Sequence, residues 1–97
     1  MSENWKEETG ALRKVFGFDS YKVGVDFTLK VAEAADAADH HPDILLTYRK
    51  VAVTTTSHDA GNSVTDRDRR LAQTIDGIYR GVAPTPHTTK PSVAPPL

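Results

Sequence analysis

The stretch SYKVGVDFTLKVAEAADAADHHPDILLTYRKVAVTTTSH, Ser20–His58, changes its apolar rhythm once, around Pro42, and that change decides the fold. Before the proline, Val23, Phe27, Val31, Ala34, Ala35 and Ala38 recur at three- and four-residue steps, and alanine favours helix, so the spacing predicts a helix from Ser20 to about Ala38. Pro42 restricts the residue before it and has no amide hydrogen, which stops the helix. Beyond it, Ile44–Ser57 carries Leu45, Leu46, Tyr48, Val51 and the β-favouring run Val53–Thr56, which reads as two short strands. From Val51 to His58 the side chains alternate. Val51, Val53 and Thr55 share one face; Ala52, Thr54, Thr56 and His58 share the other.

Working outward, Trp5–Glu7 and Ala11–Phe18 flank Glu8, Thr9 and Gly10, a hairpin in which Gly10 takes the positive dihedral. Downstream, a second helix opens at Thr65. Its hydroxyl is placed to cap the Asp68 amide, and Asp66 and Asp68 suit the positive end of the helix dipole. Leu71, Ala72, Ile75, Ile78 and Tyr79 form its apolar stripe, and Gly81 marks its end. The order is β-β-α-β-β-α with no internal repeat. It predicts an α+β fold in which helices cover one face of a four-stranded antiparallel sheet. Five of the six prolines fall between Pro84 and Pro96, so residues 82–97 read as an extended, mobile tail without PxxP spacing, and 1–81 as the domain. About 80 folding residues give a thin core, and self-association, at least to a dimer, is expected to add apolar burial.

Composition narrows the function. The chain has 97 residues, enough for one domain, and 12 Lys and Arg against 13 Asp and Glu leave a net charge of -1. No basic field is available for phosphate backbones, which argues against nucleic acid as a partner. With 38% hydrophobic residues, a mean hydropathy of -0.45 and no apolar run near about 18 residues, no membrane span is expected. Met1–Glu8 has neither the basic stretch nor the apolar centre of an export signal. The absence of cysteine excludes disulfides, thiol nucleophiles and zinc-thiolate sites, and makes a cytoplasmic address the default.

Chemistry concentrates on three histidines, His40 and His41 at a helix end and His58 at a strand end. Imidazole exchanges protons near neutral pH, its ordinary pKa being about 6.5. Asp36 and Asp39 lie close before His40, where a carboxylate can orient an imidazole. Three uses stay open on spacing alone. The simplest is that the pair satisfies free carbonyls at the negative end of the helix dipole. The second is acid–base catalysis. The third, a metal site of His40 or His41 with His58 and an Asp, is weakest, because adjacent histidines diverge and no HxxxH or HExxH spacing exists. Thr54, Thr55 and Thr56 read first as β-formers, although Thr56 and Ser57 beside His58 can also bond a polar ligand. Arg67, Arg69 and Arg70 alternate with Asp66 and Asp68 and read as a solvated helix face.

The set Asp39, His40, His41, Pro42, Asp43, then Tyr48, Val51, Thr56, Ser57, His58, Asp59 and Asp68, resembles the signature of the pterin-4a-carbinolamine dehydratases. The likeness extends through Trp5, Leu12, Arg13, Phe16 and Phe18 upstream and Leu71, Ala72 and Ile75 downstream, covering roughly Trp5 to Tyr79. It implies dimers or dimer pairs of an α+β subunit, and dehydration of a 4a-hydroxytetrahydropterin without metal or cofactor. By the same resemblance His40 and His58 share proton transfer, His41 holds substrate, and Asp36, Asp39, Thr56, Ser57 and Asp68 surround the pterin. The chain departs from the family pattern in four places. A leading helix before the tryptophan is missing, which should uncover apolar surface. Ile44 replaces a common aromatic residue expected to stack on the ligand. Ala60–Val64 replaces a double-glycine loop, and the proline-rich tail is added. These departures suit the other role known for dehydratase-like proteins, assembly of Rubisco in bacteria with α-carboxysomes. A transcriptional-cofactor role is more remote.

Overall fold

The computed structural model describes residues 5–82. Residues 83–97, the rest of the expected tail after Val82, and the first four residues lie outside that range. Seven elements follow in order: β1 (Lys6–Glu8), β2 (Ala11–Gly17), α1 (Tyr21–Ala38), β3 (Asp43–Leu46), β4 (Lys50–Thr55), one 3₁₀ turn (His58–Ala60) and α2 (Asp66–Val82). The strands form one antiparallel sheet in the order β1-β2-β4-β3. The expected α+β class, strand count and element order all hold.

Alternation along the strands creates the core. Leu12, Phe16, Val51 and Val53 point to one face, where Phe27 and Val31 of α1 and Leu71, Ala72 and Ile75 of α2 bury them. Four aromatic rings, Phe16, Phe18, Phe27 and Tyr79, stack at tilted or edge-on angles with centroids 4.9 to 5.9 Å apart. Trp5 packs against Phe16, and its Nε1–H donates to Asp76, which also takes the Lys14 ammonium at 2.8 Å. Strands and α2 are thereby tied by polar as well as apolar contacts.

Several local expectations change. Trp5 precedes β1 rather than lying in it, and the hairpin turn uses two left-handed residues, Thr9 (φ 47°) and Gly10 (φ 79°), as a two-residue primed turn requires. Helix α1 stops before Pro42 can act. Asp39 adopts a left-handed conformation, its N–H bonds Asp36 O, and the His40 N–H bonds Ala35 O, the Schellman pattern. Ala38 is exposed, while Gly24, absent from the predicted stripe, is buried against Leu46, Val51 and Phe18 where helix and sheet approach closely. Capping of α2 runs in the reverse sense: the Asp68 carboxylate accepts the Thr65 N–H at 3.0 Å. The helix continues through Gly81 to Val82. Ile44 is partly buried and packs against the core.

Large apolar side chains do remain uncovered. On α1, Tyr21, Val25 and Leu29 recur every fourth residue, and on the outer sheet face Leu45 and Val15 flank Ala52 in register. Among the described residues no helix is long and apolar enough to cross a membrane.

Candidate active site

Three backbone features bring the histidines together. The left-handed Asp39 turns the chain out of α1, so His40 tucks inward, 8% exposed, and His41 points out. Strand β4 then returns antiparallel to β3 and delivers Thr55, Thr56 and Ser57 to the same end of the sheet. A compact loop follows, in which Ala60 and Asn62 donate backbone N–H groups to Ser57 O and Ser63 O accepts from the Ser57 N–H. His58 lies in the 3₁₀ turn just past the strand, yet still on the Thr56 side. Asp39, His40, His41, Thr56, His58, Asp59 and Arg67 line one hollow of about 250 Å³. That size is close to the lower bound of small-molecule sites, about 300 Å³.

Beneath the hollow lies a carboxylate with no solvent exposure. Asp68 accepts His40 Nε2–H at 2.6 Å and the Thr55 hydroxyl at 2.5 Å on one oxygen, and the Ser57 hydroxyl at 2.7 Å with the Thr65 amide on the other. Burial pushes its pKa up, but hydrogen bonds from Thr55, His40, Ser57 and the Thr65 amide outweigh that and hold it well below the usual carboxylate range. On the rim, Arg67 Nη2–H donates to Asp59; this bond lowers the Asp59 pKa and raises that of Arg67.

Each imidazole has one nitrogen engaged: His40 by Asp68, His41 by Asp36 through Nε2 at 2.9 Å, and His58 by Asn62 through Nδ1 at 2.8 Å. Such an arrangement suits proton transfer to and from a small molecule held in the hollow. Among the described residues no group of three His, Cys, Asp or Glu side chains has the geometry to hold a metal ion.

The matched family model is described as pterin 4 alpha carbinolamine dehydratase and covers residues 1–78. The chain belongs to that family. A protein of Picosynechococcus sp. is 43% identical over 74 residues, covering 76% of this chain and 79% of its own. One from Metallosphaera sedula is 42% identical over 79 residues, covering 81% of each chain. Both carry the provisional name pterin-4-alpha-carbinolamine dehydratase. Among solved structures, a transcriptional coactivator/pterin dehydratase from Brucella melitensis superposes with a TM-score of 0.73 at 28% identity, over 78% of this chain and 82% of its own. A pterin dehydratase-like protein described as a RuBisCO assembly factor in the α-carboxysome gives 0.69 at 21% identity, over 82% and 95%, a likeness of fold.

Of the residues that the dehydratase resemblance points to, His40, His41, His58, Asp39 and Thr56 line the hollow. Asp36 stands behind His41 on α1. Ser57 and Asp68 do not reach the hollow. Both are fully buried, because β4 alternation carries Ser57 inward with Thr55 and the first turn of α2 aims Asp68 at the same point. The Thr56 hydroxyl donates to Gly10 O at 2.6 Å, so toward a ligand its oxygen is an acceptor. Sequence reading missed Asn62 and the rim pair Asp59–Arg67 as site groups. The alternation of Arg and Asp in α2 concealed Arg67, and nothing in the local pattern marks an asparagine four residues past a histidine.

Proposed function

We propose that this chain dehydrates a 4a-hydroxytetrahydropterin to the quinonoid dihydropterin, with the pterin as substrate and no further cofactor. One observation carries the reading: the adjacent pair His40 and His41 and the distant His58 line the same hollow. In the reaction the N5 lone pair forms the C4a–N5 double bond while the C4a–O bond breaks. An imidazolium protonates the departing hydroxyl, which leaves as water, and a neutral imidazole takes the N5 proton. One proton is given and one received, so the pair resets through solvent. His40 and His58 exchange the protons, His41 holds the substrate with Asp36 behind it, and Asp39 and Thr56 meet the ring edge. Ser57 and Asp68 serve through His40. The absence of cysteine supports a cytoplasmic address. The proposal includes self-association, supported by the uncovered Tyr21, Val25 and Leu29.

The competing reading keeps the fold, gives up the chemistry and assists assembly of Rubisco; its support is the fold shared with the assembly factor. A dehydration assay on chemically generated 4a-hydroxytetrahydropterin separates the two. Wild-type protein should exceed the buffer rate, and His58→Ala should lower kcat by about 10² to 10⁴-fold. No rate above buffer, together with a raised yield of soluble Rubisco on co-expression, would replace the first reading with the second.

A further inference from the structure

Asn62 occupies a position that the surrounding backbone fixes from several sides. Its φ is 58°, its N–H bonds Ser57 O at 3.1 Å, and Gly61 before it is left-handed as well. The β1–β2 turn packs directly on its carbonyl: a Cβ added at Gly10 would lie 2.0 Å from Asn62 O. Thr56 ties the same turn to β4 through Gly10 O. A side chain on so constrained a backbone has few directions open to it, and this one places Oδ1 2.8 Å from His58 Nδ1.

We infer that Asn62 is the positioning residue for His58, holding its neutral ring with the proton on Nδ1 and leaving Nε2 as the free base. An amide oxygen only accepts, so the ring must donate from Nδ1. No other hydrogen bond to the His58 ring exists among the described residues, and His58 lines the hollow with Thr56 and Asp39. His40 is held the other way round, by Nε2 on Asp68, so its free nitrogen is Nδ1. The two imidazoles therefore offer opposite ring nitrogens. This deepens the proposed dehydration and rests on it. The N5–H bond breaks, a bond to His58 Nε2 forms, and the resulting imidazolium keeps its Nδ1–H on Asn62. Without Asn62 the ring would revert toward the Nε2–H form that imidazole prefers in water, with its lone pair turned from the substrate.

The tautomer is read in the free protein by two-bond ¹H–¹⁵N correlation of His58 at pH about 8.5, well above the ordinary pKa of about 6.5. Wild type should carry the proton on Nδ1. Asn62→Gly, which tolerates the left-handed backbone but has no acceptor, should move it to Nε2 and lower kcat about tenfold with KM nearly unchanged. Asn62→Asp, which restores an acceptor and also tolerates this φ, should return the proton to Nδ1. A wild-type ring protonated on Nε2, or a tautomer unchanged in Asn62→Gly, overturns the inference. Because the tautomer is measured without substrate, absence of any dehydration rate would count against the proposed reaction and not against this role.

Discussion

Asp68 carries more of the site than its exposure suggests. A carboxylate is buried without cost to folding only when its oxygens are fully bonded, and here His40, Thr55, Ser57 and the Thr65 amide provide those bonds. The carboxylate thus joins β4, α2 and the turn after α1. Truncating it leaves a buried imidazole and two hydroxyls without their acceptor, so Asp68→Ala should lose about 3 to 5 kcal/mol at pH 7 by urea unfolding. Its pH dependence has a definite sign. Asp68 titrates at its ordinary 3.8 in the unfolded chain and lower in the folded one. The stabilisation is fully present above the unfolded value and is lost as pH falls through the folded value. Unfolding free energy measured from pH 6 downward should drop for wild type below about pH 5, and Asp68→Asn should lack that part of the slope.

At the scale of elements, the loop between β4 and α2 is held by the β1–β2 turn, which lies beside the end of β4. Gly10 has φ 79° and no room for a side chain, since its neighbour is the Asn62 carbonyl. Gly10→Ala combines a left-handed penalty of about 1 to 2 kcal/mol with a steric one. The expected result is faster amide hydrogen exchange across residues 57–63 with little change in α1, because α1 is separately fixed by its Ser20 cap and the Asp39 turn. Uniform acceleration throughout the molecule would instead mean that the turn stabilises the whole fold. Element boundaries also explain which sequence readings changed. Pro42 was the visible stop signal, but a Schellman turn at Asp39 acts three residues sooner, and Asp is tolerated there although glycine is the common choice.

At the scale of the molecule, one aromatic cluster joins Trp5 before β1 to the sheet and both helices. Trp5 lies on Phe16, Phe16 on Phe27 and Tyr79, and Trp5 and Lys14 both bond Asp76 of α2. A core of this extent is small, and the surface compensates poorly: Leu29 is 59% exposed, Leu45 61% and Tyr48 71%. Burial of apolar surface yields roughly 25 cal/mol per Å², so covering these side chains in a second copy is a considerable gain for so small a domain. Sedimentation equilibrium of the full chain should give a mass of at least twice 10.6 kDa. A single species at the monomer mass down to millimolar concentration would remove self-association from the proposal.

Sequence by itself determined the class, the strand and helix order and most of the buried face of α1, β4 and α2, because apolar periods of 3.6 and 2 are local properties of side-chain direction. It also marked the three histidines. Only the tertiary structure decided which groups face a ligand and which stand behind it. Ser57 and Thr56 are neighbours, yet β4 alternation buries one and exposes the other to the hollow. The partners of the imidazoles show the same limit. Asp68 reaches His40 across 28 positions, whereas Asn62 reaches His58 over four through two left-handed residues that no periodic pattern announces. Hydrogen-bond direction depends on where distant backbone segments place their acceptors, and that is fixed only when sheet, turn and helix pack together.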